Sequence, residues 1–170
     1  HKEDELIING KKLHSPSKDL DCGNSGTTTR LVAGLLASQK LTFSLIGDES
    51  LSKRPMKRII TPLTSMGCKI SSNNGLLPLS IDASGGISAI DFDMKVASAQ
   101  VKSSILFSAL GGNNVSSINE IIPTRNHSEI MLKNMGASIE REGSKIIVHP
   151  LKSKLKPVSY THLRAHETDS

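Results

Sequence analysis

The 170-residue chain is 36% hydrophobic and 22% charged, with a formal charge of +5, a balance that suits a globular protein with an anionic partner. No apolar run approaches the roughly 20 residues of a membrane helix, and three Phe, one Tyr and no Trp are poor material for stacking bases. Basic residues are spread along the chain and not massed, so nucleic acid and membrane are set aside and small anions are the expected partners.

The chain opens HKEDELIING, without an initiating Met or anything like a signal peptide. A cytoplasmic location is expected, with reduced thiols at Cys22 and Cys68. Residues 21–30, DCGNSGTTTR, come next. Gly23 and Gly26 permit close backbone approach, and Ser25 or Thr27 would cap the following helix. That helix is predicted over 28–38 from the spacing of Leu31, Leu35 and Leu36. The stretch lacks the Lys-Ser/Thr ending of a Walker loop and is no G-x-G-x-x-G fingerprint. Taken alone, it reads either as an anion cradle or as a plain capped turn.

LTFSLIGD reads as a strand. The segment RPMKRIITPLTSMG reads as a helix opening near Pro55, with Met56, Ile59, Ile60, Leu63 and Met66 on one face. Pro62 is expected to kink it or to lie in its first turns, and Gly67 supplies the C-terminal cap. Arg54, at the helix entrance, is a candidate anion fork, while Lys57 and Arg58 are expected to be solvated. CKISS and LPLSIDA flank NNG, a hairpin signal.

A second helix, AQVKSSILFSAL, starts with Ser98, Gln100, Lys102 and Ser103 as polar candidates. In PTRNHSEI, Arg125 precedes Asn126, a good N-cap, and Glu129 completes a capping-box arrangement. His127 could act as a general base but reads first as structural. ASIE and KIIVHP then flank a turn at REG. Leu63, Met66, Gly67 and Ile70 recur 69 residues later as Leu132, Met135, Gly136 and Ile139, which marks a duplicated unit.

The expected fold is α/β (α+β), built from repeated βαβαββ units with helices covering a sheet. About two units are present, near 22–90 and 91–150, within a partial domain spanning 1–158. The last twelve residues, SYTHLRAHETDS (159–170), break the pattern and resemble adapter-derived, non-native sequence. No Cys/His cluster has metal-ligand spacing, so no metal is expected.

The blocks LDCGNSGTTTRLVAGLLAS, GDESLSKRPMKRIITPL, ASAQVKSSILFSAL and TRNHSEIMLKNMGA resemble consecutive signatures of the 5-enolpyruvylshikimate-3-phosphate synthase family, from about Ile7 to Pro150. The resemblance implies an inside-out barrel domain of βαβαββ units. It also implies transfer of an enolpyruvyl group from phosphoenolpyruvate to the 5-hydroxyl of shikimate 3-phosphate, releasing phosphate, in aromatic amino-acid biosynthesis. No cofactor is implied, and the full-length family protein is expected to be a cytoplasmic monomer.

Carried over by motif, Gly26 and Arg54 would contact phosphoenolpyruvate, with Asn24 and Thr27 shaping the loop. Ser98, Ala99 and Gln100 would hold shikimate 3-phosphate, Ala99 through its backbone N–H only, and Arg125 would grip the same ligand. The Gly26 region would also meet glyphosate, which an alanine there would crowd. The family's N-terminal substrate block and its second domain, which manages proton transfer, have no counterpart. The chain alone is therefore expected to be inactive and to risk an exposed sheet edge or apolar patch. Alternatives are a UDP-N-acetylglucosamine enolpyruvyl transferase, which would want a loop cysteine, an RNA 3′-phosphate cyclase-like protein, or a non-catalytic anion-binding module.

Overall fold

The computed structural model describes residues 11–158; the expected adapter-derived segment 159–170 and the opening stretch 1–10 lie outside them. The first unit runs β1 (Leu20–Asp21), α1 (Gly26–Ser38), β2 (Thr42–Ile46), α2 (Glu49–Ser52), α3 (Lys57–Ser65), β3 (Lys69–Asn73) and β4 (Leu76–Asp82). The second runs β5 (Asp91–Met94), α4 (Ala99–Leu110), β6 (Ser116–Glu120), α5 (His127–Asn134), β7 (Ile139–Glu142) and β8 (Lys145–Val148).

Each unit makes one four-stranded sheet, ordered β1-β2-β4-β3 and β5-β6-β8-β7. In both, the first pair is parallel and the others antiparallel. A helix must carry the chain between parallel neighbours, whereas a tight turn suffices for the closing hairpin. The hairpin turns at Asn74 and Gly75 take φ of +52° and +82°, the left-handed geometry that Asn-Gly tolerates best. The repeated βαβαββ order is thus present twice.

Side-chain alternation fixes which sheet face is buried. Phe43 and Leu45 on β2, and Leu77, Leu79 and Ile81 on β4, point into the core. Ile59, Leu63 and Met66 from the α3 segment meet them in one apolar cluster. Leu35, Val115, Ile121, Ile122 and Ile130 remain exposed.

Helices α1 and α4 join the two units. Thr27 meets Gln100 near their starts, and further along Gly34 meets Ser104 and Ser38 meets Gly111. The contacts ascend together, so the helices run parallel and start at the same end. A Cβ built on Gly34 would stand 2.2 Å from the Ser104 carbonyl oxygen, and one on Gly111 would stand 2.2 Å from that of Ser38. Hydrogen on the α-carbon is what permits this approach, and the Ser108 hydroxyl uses it to reach the Gly34 carbonyl at 3.2 Å.

Two local expectations need correction. The segment after β2 holds two helices, because Asp48 caps a short α2 through a 2.7 Å bond from Leu51 N–H. The main helix opens at Lys57, just after Pro55 as expected, and Pro62 is its sixth residue, within the first two turns. Asn126 precedes α5 but its side chain makes no capping bond, with φ −103° and ψ 18°. Glu129 forms no capping box; it is buried and ion-paired. A carboxylate that pairs with buried Lys102 and also with Arg141 gains more there than from one backbone N–H.

Candidate functional site

The starts of α1, α4 and α5 meet at one cleft of about 240 Å³. Thr27 and Leu31 line it from α1, Ala99, Gln100 and Ser103 from α4, and Arg125, His127 and Ser128 from the start of α5. Helix starts carry unpaired N–H groups and partial positive charge. The Ser103 and Ser128 hydroxyls, 2.7 Å apart, tie α4 to α5 at this wall.

Ser25 caps α1, its Oγ accepting from Thr28 N–H at 3.1 Å. Ser98 caps α4 in the same way, accepting from Val101 N–H at 3.3 Å. A hydroxyl that accepts from backbone retains its own proton for donation. Ser98 lines a neighbouring opening of about 320 Å³ with Arg58, Thr61 and Val101, beside the cleft and not within its wall.

Gln100 spans the two units. Its Oε1 accepts from Arg30 Nη1 at 2.5 Å and its Nε2 donates to Thr27 Oγ1 at 2.8 Å. On the other side of the α1 start, Arg54 Nη2 donates to Asn24 Oδ1 at 2.6 Å, and Asn24 Nδ2 donates to Asp48 Oδ2 at 2.7 Å. Asp48 thereby orients Asn24 and Arg54 in series. The Leu51 N–H bond, seconded by Asn24, holds the Asp48 carboxyl below its ordinary value.

Gly26 lies between these two sets. A Cβ there would stand 2.9 Å from Arg30 Nη1 and 3.7 Å from Arg54 Nη1. Partial burial lowers the Arg30 pKa from its ordinary value, and the positive charges of Arg58 and Arg54 lower it further. Among the described residues none of these three guanidiniums has a carboxylate ion-pair partner. Such a concentration of positive charge beside helix starts favours a multiply charged anion.

Thr27, Ala99, Gln100 and Arg125 therefore share one cleft, Asn24, Gly26 and Arg54 form an adjoining set, and Ser98 caps α4 beside them. Lys102 does not join them. It is 1% exposed and pairs with Glu120 and Glu129. Sequence reasoning missed Arg30, although it lies one turn beyond Gly26 and so on the same helix face. Asp48 and the Lys102 partners left no local signal.

Both cysteines are buried. Burial, aided by Asp82, pushes the Cys68 thiol up to about 11, the opposite of an activated nucleophile. Among the described residues no three His, Cys, Asp or Glu side chains converge to hold a metal, and no helix is long and apolar enough to cross a membrane. A larger opening of about 590 Å³ lies over the first sheet, lined by Lys18, Thr42, Ser44, Lys69 and Asp82 among others. No helix residue lines it, and its two lysines share the lining with Asp19 and Asp82.

A family model described as EPSP synthase (3-phosphoshikimate 1-carboxyvinyltransferase) matches residues 1–161. The chain is similar to the 3-phosphoshikimate 1-carboxyvinyltransferase of Ruthia magnifica, at 51% identity over 82% of this chain and 32% of that protein. It is also similar to that of Oenococcus oeni, at 47% identity over 86% of this chain and 34% of that protein. A solved EPSP synthase from Acinetobacter baumannii superposes with a TM-score of 0.78 at 42% identity, covering 84% of this chain and 32% of that one. The chain spans about a third of the length of the curated relatives it matches.

Proposed function

The chain belongs to the EPSP synthase family, and from that premise we propose that it supplies the part of an active site that holds shikimate 3-phosphate and phosphoenolpyruvate. In the whole protein the reaction moves the enolpyruvyl group onto the 5-hydroxyl of the shikimate ester and releases phosphate. The observation that carries this reading is the convergence of three helix starts on one cleft that Gln100, bridging Thr27 and Arg30, lines together with Arg125.

Each residue has a role that its chemistry allows. The Gly26 N–H and the Arg54 fork hold phosphoenolpyruvate, and Asn24 and Thr27 shape the loop around it. The Ser98 hydroxyl, the Ala99 N–H and the Gln100 amide hold shikimate 3-phosphate, and Arg125 grips it from the α5 side. None of these groups is a proton-transfer acid or base. The chain alone is therefore expected to bind without turnover, because transition-state stabilisation needs groups converging from both sides of the substrate.

The test is a calorimetric titration of shikimate 3-phosphate into the chain and into Arg125→Ala. A bidentate charge-assisted contact predicts a loss of roughly tenfold to a hundredfold in affinity. Equal affinity in both proteins would remove Arg125 from the site. Turnover by the chain alone would contradict the expected division of labour.

A further inference from the structure

Behind the cleft four charged side chains close a ring. Lys102 Nζ, on α4, lies 2.9 Å from Glu120 Oε1 on β6 and 2.7 Å from Glu129 Oε1 on α5. Arg141, on β7, donates to Glu120 Oε2 at 2.9 Å and to Glu129 Oε2 at 3.2 Å. Lys102, Glu120 and Glu129 are buried, and Arg141 is partly exposed. Burial alone would raise the Glu120 pKa, but hydrogen bonds from Thr124, Lys102 and Arg141 outweigh it and hold the carboxyl below its ordinary value.

A buried ion network is weak as a stabilising device, because desolvation offsets most of its attraction and apolar side chains fill the same space at less cost. Its contacts suggest another use. Glu120 Oε1 accepts from Thr124 N–H at 2.8 Å and also from the Thr124 hydroxyl. Lys102 Nζ reaches the Thr124 carbonyl at 3.5 Å. Among the described residues, every hydrogen bond holding the exposed stretch 121–125 runs from Thr124 to this ring. The next residue is Arg125, which lines the cleft.

We propose that the ring of Lys102, Glu120, Glu129 and Arg141 is a positioning device that fixes Thr124 and thereby aims Arg125 at the phosphorylated ligand. The proposal rests on the assignment of Arg125 to shikimate 3-phosphate. A guanidinium on a loop already fixed loses less freedom on binding than one that must be ordered by its ligand. The four ring residues touch no substrate; they act through Thr124.

Two substitutions isolate the device. Glu120→Gln keeps the shape and removes the charge, while Thr124→Val replaces the hydroxyl by a methyl, so that one hydrogen bond to the buried Glu120 carboxylate is lost and all four charges stay in place. Amide hydrogen exchange is followed by NMR in the chain and in both variants, and shikimate 3-phosphate is titrated into each, into Arg125→Ala and into Thr124→Val/Arg125→Ala. Glu120→Gln is expected to speed exchange at Thr124 with α1 unaffected. Thr124→Val is expected to weaken binding about tenfold, as for a lost hydrogen bond to a charged group, and to weaken it no further once Arg125 is Ala. Should Glu120→Gln fail to fold, Thr124→Val and the double variant still decide. Unchanged Thr124 exchange in folded Glu120→Gln, or additive losses in the double variant, would overturn the proposal. If the unmodified chain binds no shikimate ester while Thr124 exchange still rises in Glu120→Gln, the loop positioning stands and the Arg125 assignment fails.

Discussion

A methyl group at residue 26 would press on the Arg30 guanidinium at 2.9 Å. That contact is with the end of a flexible side chain, so the fold can absorb it by moving Arg30. The movement would break the 2.5 Å bond to Gln100 and disturb Arg54 nearby. The helix-propensity gain of an alanine offsets much of that lost bond, so Gly26→Ala is expected to change stability by about 1 kcal/mol or less while weakening phosphoenolpyruvate binding. Urea unfolding beside a phosphoenolpyruvate titration checks this; a variant that loses stability and keeps its affinity would show that the packing argument is wrong. The local residue types in DCGNSGTTTR made an anion cradle legible. The place of Arg30 was not, because its partner Gln100 lies 70 positions away and no periodicity links them.

Among the elements, the α1–α4 pair is the least tolerant of added volume. An alanine in place of a helical glycine ordinarily gains up to about 1 kcal/mol. At Gly34 the new Cβ would meet the Ser104 backbone oxygen at 2.2 Å, and a backbone atom in a packed helix cannot swing aside. Overpacking of this kind costs roughly 1–3 kcal/mol or more, so the clash outweighs the propensity gain. Gly34→Ala is expected to lower the urea midpoint, whereas Gly85→Ala, where no atom lies within 4 Å, should leave it nearly unchanged. The leucine spacing announced α1 but not the glycine–serine seam along it. In α4, Val101 through Leu106 are all buried, so one-sided periodicity was never available there. The strand pattern of LTFSLIGD runs on to Asp48, whose capping role depends on a turn that only the folded chain displays.

For the molecule as a whole, the repeat of Leu63, Met66, Gly67 and Ile70 at 69 residues was the most informative signal in the sequence. It is legible because both copies need the same device. Gly67 and Gly136, at φ +100° and +96°, turn the chain from a helix end into a hairpin. The entry strands were harder to see: β1 is two residues long, too short to show alternation, and is recognisable only by its pairing of Leu20 with Leu45. The buried charge ring was invisible because its members come from α4, β6, α5 and β7, and each resembles a surface residue until the elements assemble.

The parallel course of α1 and α4 also governs how ionic strength acts on the molecule. Two like poles, with Arg30, Arg54 and Arg58 beside them, repel one another when the cleft is empty. At 0.1 M salt the Debye length is about 10 Å, short enough to quiet part of that repulsion. The same ions shield an incoming phosphate ester from the charges that attract it. Added sodium chloride is therefore expected to raise the melting temperature of the empty chain slightly while lowering its affinity for shikimate 3-phosphate. Thermal scans and titrations across the same salt series test the two signs separately, and a melting temperature that fell with salt would remove the repulsion from the account. Salt that steadies the vacant protein is, at the cleft, a competitor.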